Sequence, residues 1–233
     1  MMPKKIYGLL LFVIAALCCA ANAYVMAQQG SAVESAPAST SALKSPVLVK
    51  HPREALYNRA KKAGGNLVWR YRPNRGVLYP TVGELAKRSD IIVVGRILGH
   101  RSSLRPDGKF ITQDYLVRVQ EVIRGDLPNS KSIIISLPGG DYRYPDGTHV
   151  HVMPIGYRQP EDGSSYIFFL RKKTGEDYKG YRLVSETQGL FGMKNDQVEP
   201  ANLVKSDPVV VKYRGMATGE FLRQIHRAVP IKK

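Results

Sequence analysis

The chain has 233 residues, with 35 Lys and Arg against 19 Asp and Glu, and two adjacent cysteines, Cys18 and Cys19. This length allows one substantial domain with flanking segments, or at most two small domains. The formal net charge of +16 favours an anionic partner. Two adjacent cysteines exclude a disulfide-rich scaffold.

Residues 1–23 have the pattern of a Sec-type signal peptide. Lys4 and Lys5 precede an apolar stretch, which ends in the small-residue sequence Ala21-Asn22-Ala23. Val25-Met26-Ala27 offers a second cleavage site, after residue 27. An uncleaved membrane anchor is the alternative, since the apolar stretch is only slightly shorter than a membrane span. We expect export to the periplasm or the extracellular space.

Cleavage at either site would remove both cysteines. The mature chain would then have no disulfide, no thiolate ligand for zinc and no thiol nucleophile. Its stability would depend on an ordinary packed core.

Two segments are expected before the main domain. Residues 24–52 are rich in Ala, Ser and Pro and have no apolar period, which is typical of a flexible linker. Residues 53–80 form a basic aromatic arm. From residue 28 to residue 80 there are nine Lys and Arg but only two acidic residues. Such clustered cations indicate an anionic envelope polymer or membrane surface as a partner, and export argues against nucleic acid.

The sharpest part of the arm is the sequence Trp69-Arg70-Tyr71-Arg72-Pro73-Asn74-Arg75. Guanidinium groups between aromatic rings are suited to anionic or planar ligands, so Trp69, Arg70, Tyr71, Arg72 and Arg75 are candidate binding residues. The same alternation is typical of a strand with one buried aromatic face and one solvated cationic face. The second interpretation is favoured.

The remaining chain is dominated by short strand patterns separated by Pro and Gly turns. The most apolar one, Ile91-Ile92-Val93-Val94, is predicted to lie centrally and to be covered on both faces. Further strands are predicted at 115–124, 133–137, 149–153, 166–170, 181–184 and 190–193.

Two helices complete the prediction. Thr81-Val82-Gly83-Glu84 is typical of a capping box that opens a short helix. Apolar residues at Phe221, Leu222, Ile225 and Ala228 predict a C-terminal amphipathic helix over a barrel opening or sheet face. We therefore expect residues 81–233 to form an all-β domain, a small antiparallel OB-like barrel or sandwich of six or seven strands.

A resemblance supports the barrel. The sequences Ser89–Arg96, Tyr115–Val119, Leu137–Gly140 and Tyr166–Leu170 follow in an order similar to that of exported bacterial proteins of unknown function. The layout from Val82 to Met193 also distantly resembles the netrin-like and metalloproteinase-inhibitor barrels of OB type. The resemblance implies a five- or six-stranded barrel that binds rather than catalyses. The inhibitors' N-terminal cysteine has no counterpart in the expected mature chain, so only the fold analogy is carried over.

His149-Val150-His151 is the one pattern that points to chemistry. Alternate strand residues share a face, so both imidazoles would be available to one metal ion. A solvated strand face is the favoured alternative. A catalytic metal would need a further ligand, and the sequence offers four candidates without bringing them together: Asp141, Asp146, His100 and His226.

Tyr142-Arg143-Tyr144 is the second candidate binding segment. An aromatic and cationic loop at a barrel mouth would contact a ligand. The favoured alternative is a polar turn whose tyrosines cover the core.

No catalytic motif is present, and no catalytic residue or cofactor is expected. The sequence favours an exported, non-catalytic module that binds an anionic envelope component or a secreted protein. A metal-dependent hydrolase built on His149 and His151 and a protease-inhibitor-like binder are the alternatives. The sequence does not indicate an oligomeric state.

Overall fold

The structure is a computed structural model that describes residues 54–73, 77–127, 131–172 and 180–229. All of them belong to one compact unit, Ser45–Lys233. The predicted signal peptide, the linker and the candidate binding residue Arg75 lie outside the described residues.

The described residues form four helices and ten strands. The helices are α1 (Leu56–Lys62), α2 (Val82–Arg88), α3 (Pro208–Tyr213) and α4 (Thr218–Ala228). The strands are β1 (Asn66–Tyr71), β2 (Ile91–Leu104), β3 (Ile111–Arg124), β4 (Ser132–Pro138), β5 (Gly140–Arg143), β6 (His149–Pro154), β7 (Ser165–Lys172), β8 (Tyr181–Leu183), β9 (Leu190–Lys194) and β10 (Gln197–Pro200).

Seven strands form one sheet in the order β10-β9-β7-β2-β3-β4-β8, and β8 also pairs with β7. The pairing therefore returns to its starting point through β7, β2, β3, β4 and β8. Four of these five pairings are antiparallel. The pairing of β4 with β8 is parallel and joins Ile135 to Tyr181.

One apolar cluster takes in one face of all five strands of this ring. It includes Ile91, Val117, Ile135, Phe168 and Leu183. The opposite faces of β2 and β7 are also buried, because α2, α3 and α4 pack there in a second cluster. Strand β2 is therefore covered on both sides at Ile91–Val94, which confirms the prediction for this segment.

Both predicted helices are present. The Oγ1 atom of Thr81 accepts a hydrogen bond from the backbone N–H of Glu84 at 3.2 Å, as expected for an N-cap. At the other end of the chain, Phe221 and Ile225 of α4 are fully buried against the sheet. The C-terminal helix thus covers a sheet face.

A second sheet has three strands in the order β1-β6-β5. Strand β1 runs parallel to β6, and β5 runs antiparallel to it. One face of this sheet packs against α1 and the far end of the β2–β3 hairpin, around Trp69, Val152 and Ile111. Residues 56–71 therefore supply a helix and a strand.

The mostly β character predicted from the sequence is confirmed, but three details are wrong. The sheets contain two parallel pairings and are not wholly antiparallel. Residues 81–233 contain nine described strands instead of six or seven, because β5 and β10 add to the predicted set. Helices α1 and α3 were not predicted; each is only six or seven residues long, too short to give a clear helical period.

Candidate functional site

The outer face of the three-stranded sheet carries the largest group of sequence-predicted site residues. Pairing in register puts His149 beside Asn66 and Arg143, and His151 beside Val68 and Asp141. Met153, two residues after His151 on the same side of β6, is paired with Arg70. We call this the outer face; its residues are Asn66, Val68, Arg70, Asp141, Arg143, His149, His151 and Met153.

The burial pattern shows why these side chains face solvent. In β1 and β6, Trp69, Tyr71, Val150 and Val152 are buried, and the residues between them are exposed or half-buried. Successive strand residues point to opposite faces, so the apolar residues fix the orientation of the polar ones.

Both imidazoles hydrogen-bond to one carboxylate oxygen. The Oδ1 atom of Asp141 lies 3.1 Å from Nε2 of His149 and 2.7 Å from Nδ1 of His151. The histidine side chains are about one third exposed, and that of Asp141 is 59% exposed. The backbone N–H of Asp141, in β5, donates to Oγ of Ser102, in β2, at 3.2 Å. This hydrogen bond links the two strands. The cluster is thus fixed but open to solvent.

Arg70 and Arg143 are exposed, and neither forms an ion pair with a carboxylate among the described residues. Arg72, just beyond the end of β1, is also exposed. The outer face and its edge therefore present three guanidinium groups, with Asp141 as the single acidic side chain of that face.

No group of three or more His, Cys, Asp or Glu side chains suited to holding a metal ion is found among the described residues. The other three ligand candidates lie elsewhere. His100 pairs with Asp162 at 2.9 Å, and His226 lies 3.7 Å from Glu121. Asp146 pairs with Lys61 at 2.8 Å. A hydrogen bond from Lys61 lowers the pKa of Asp146.

The predicted aromatic binding residues of β1 are buried. Trp69 and Tyr71 are 2% and 8% exposed and both make edge contacts with Phe110, at ring centroid distances of 5.4 and 5.1 Å. The cation that covers Trp69 is Arg59 of α1, 4.9 Å from the ring centroid. Of the two sequence interpretations, this arrangement is that of a strand with a buried aromatic face and a solvated cationic face.

Tyr142 and Arg143 lie in strand β5, so the expectation of a loop at these positions is wrong. Only Tyr144 lies beyond the strand, in the turn to β6, where its N–H donates to the carbonyl of Thr148. Tyr142 and Tyr144 contact each other edge to face and pack against the apolar cluster around Trp69, Val152 and Ile111. The aromatic rings cover the core, and Arg143 alone reaches the outer face.

The sequence analysis does not predict that Asp141 lies beside the two histidines. Asp141 sits eight and ten residues from them, across a hairpin whose turn spans Tyr144–Thr148. A Pro-Asp-Gly sequence at 145–147, between Tyr142 and His149, was the available signal for that hairpin. It would have placed Asp141 opposite His151.

No helix in the described ranges is both long and apolar enough to cross a membrane. Comparison with known proteins finds no protein family that matches this chain and no curated protein that matches it significantly.

Proposed function

We propose that this protein is an exported, non-catalytic binding module whose outer face contacts an anionic envelope polymer. The observation that carries the proposal is the register of the small sheet, which gathers Arg70, Arg143, His149 and His151 on one solvated face. Guanidinium groups in fixed positions suit repeated phosphate, sulfate or carboxylate groups.

The scaffold we propose for this face is an OB-type barrel. Support comes from the pairing of β7, β2, β3, β4 and β8 in a closed five-strand circuit around one apolar cluster. OB barrels are five-stranded Greek-key structures that serve as binding modules. The three-stranded sheet is an addition to that scaffold.

Binding to a sulfated polysaccharide and to vesicles rich in anionic lipid tests the proposal. The double variant Arg70→Gln/Arg143→Gln should weaken binding to the preferred anionic surface about tenfold or more at low salt. A matched control removes two exposed charges outside the outer face, Lys212 and Arg214. Equal losses in both double variants would mean that net charge, and not this face, governs binding.

The metal-dependent hydrolase built on His149 and His151 is a second candidate, because the carboxylate of Asp141 lies within hydrogen-bond distance of both imidazoles. The present arrangement of these side chains does not suit a metal ion, so metal binding would require them to give up these hydrogen bonds and rearrange. Elemental analysis of protein purified without chelator decides it. Stoichiometric zinc, copper or nickel that is lost in His149→Gln/His151→Gln would favour the hydrolase over the binding module.

A further inference from the structure

A cavity of about 320 Å³ lies beside the junction of β4 and β8. Among the described residues these strands pair at Ile135 and Tyr181 alone, so they separate beyond that point. Residues 136–138 line one part of the cavity and residues 182–186 another, and Arg171 of β7 also contributes. The cavity is separate from the outer face, and nothing in the proposed function uses it.

The segment that precedes α2 forms a further part of the cavity lining. Val77 and Tyr79 line the cavity, and the backbone of Tyr79 is held at both its N–H and its carbonyl by the side chain of Gln188. Gln188 is 1% exposed. The backbone position of Tyr79 is therefore set by the buried interior.

Two arginines that line the cavity lie beside each other on neighbouring strands. Arg171 of β7 and Arg182 of β8 are directly paired. Like charges at opposed positions of neighbouring strands destabilise a sheet. Neither guanidinium forms an ion pair with a carboxylate of a described residue, although Nε of Arg171 donates to the carbonyl of Arg88 at 3.0 Å. An anion between the two side chains would offset their repulsion.

A buried hydroxyl supplies a second, independent observation. Ser185 lines the cavity and is 6% exposed, and its Oγ finds no hydrogen-bond partner among the described residues. A buried polar atom without a partner costs free energy, which an oxygen of a bound ligand would recover. Glu186 also lines the cavity, and it has an interaction of its own. Together, Arg171, Arg182 and Glu186 give the lining one net positive charge.

The rest of the lining is apolar, with Val77, Leu137 and Leu183 among its residues. A cavity of this volume falls within the range of small-molecule sites. Apolar walls beside two guanidinium groups suit a ligand with a short hydrocarbon body and an anionic end.

We propose that this cavity binds a small amphipathic anion, with its carboxylate or phosphate group between Arg171 and Arg182. Planar guanidinium groups bind either anion through paired hydrogen bonds. The hydrocarbon part then lies against Val77, Leu137 and Leu183.

Calorimetric titration of the full chain with hexanoate, hexyl phosphate, inorganic phosphate and neutral hexanol tests the site. We expect saturable binding of one molecule of hexanoate or hexyl phosphate, weaker binding of inorganic phosphate and none of hexanol. The better of the two hexyl ligands identifies the anionic group. Absence of saturable binding by both hexyl ligands up to about 10 mM, an affinity near −3 kcal/mol, would overturn the proposal.

Arg182→Gln should weaken binding about tenfold or more, because it removes a charge-assisted hydrogen bond. Arg182 is exposed, so the variant should fold, and Arg171→Gln provides a second test. The matched control is Arg96→Gln, since Arg96 and Arg118 form another directly opposed pair but do not line the cavity. Equal affinity in Arg182→Gln, or an equal loss in Arg96→Gln, would refute the site.

Discussion

The side-chain amide of Gln188 forms hydrogen bonds with both backbone polar groups of Tyr79. Its Oε1 accepts from the N–H of Tyr79 at 2.8 Å, and its Nε2 donates to the carbonyl at 3.1 Å. The same Nε2 donates to Oδ1 of the buried Asp207 at 2.9 Å. Asp207 also accepts from Asn202 and caps α3 through the N–H of Val209. One amide thus joins the segment before α2 to the start of α3.

Replacing Gln188 by Ala should lower the free energy of unfolding by about 3 kcal/mol, because the buried Asp207 and the half-buried backbone of Tyr79 lose their hydrogen bonds to the amide. Urea denaturation followed by far-ultraviolet circular dichroism measures the change. The control is Gln120→Ala on the exposed part of β3, which should stay within about 0.5 kcal/mol of the parent. A loss no larger than that of the control would mean that the network does not stabilise the fold.

Tyr157→Phe should leave stability at neutral pH unchanged or raise it by about 1 kcal/mol, because the buried hydroxyl has no partner among the described residues. Tyr115→Phe is the matched contrast. The hydroxyl of Tyr115 donates to Oε1 of the buried Gln113 at 2.9 Å. Its removal should cost about 1 to 2 kcal/mol. A larger loss for Tyr157→Phe than for Tyr115→Phe would contradict this account.

The same residue predicts a response to alkali. Burial raises the pKa of Tyr157 well above its ordinary value. Unfolding therefore releases a proton above about pH 10, the ordinary pKa of tyrosine, and the free energy of unfolding falls as pH rises further. Below about pH 10 Tyr157 is neutral in both the folded and the unfolded chain, so its ionisation does not lower the free energy of unfolding. Tyr157→Phe should reduce the slope of stability against pH between about pH 10 and 11, as measured by urea denaturation.

Gly125 follows the last residue of β3, at a position where a side chain has no space. Its φ is +84°, and a Cβ there would meet the carbonyl oxygen of Asp90 and lie 3.2 Å from Cα of Ile91. Gly125→Ala should cost about 3 kcal/mol or more, because backbone atoms must shift. Gly147 has a similar φ of +83° with nothing within 4 Å. Gly147→Ala should cost only about 1 kcal/mol of backbone strain, and thermal unfolding of both variants separates strain from clash.

Asp141→Asn should strengthen the binding of an anionic polymer to the outer face, because Asp141 is the single acidic side chain of that face. Binding to the sulfated polysaccharide at constant pH and low salt measures the change. Unchanged or weaker binding in Asp141→Asn would contradict the proposed role of this face.

The sequence predicted local structure correctly where a segment is completely buried or where the structure depends only on residues close together in the chain. Ile91–Val94 was predicted to be covered on both faces because all four residues are apolar. The Thr81 cap and the apolar spacing of α4 likewise depend on neighbours along the chain. Strand β5 was missed because Tyr142 and Arg143 pair with a strand beyond the next turn, and their own composition is equally typical of a loop.

The amino-acid order by itself determined the basic charge, the alternation of Trp69 and Tyr71 with arginines, and the shared face of His149 and His151. These are properties of composition and of the two-residue period of a strand. Only the tertiary structure decided that β1 lies beside β6, which puts Arg70 on the same face as His149 and His151, and that Arg171 and Arg182 lie beside a cavity. The physical reason is that the pairing of β1 with β6 and the separation of β4 from β8 arise from packing between distant segments, which no local pattern encodes.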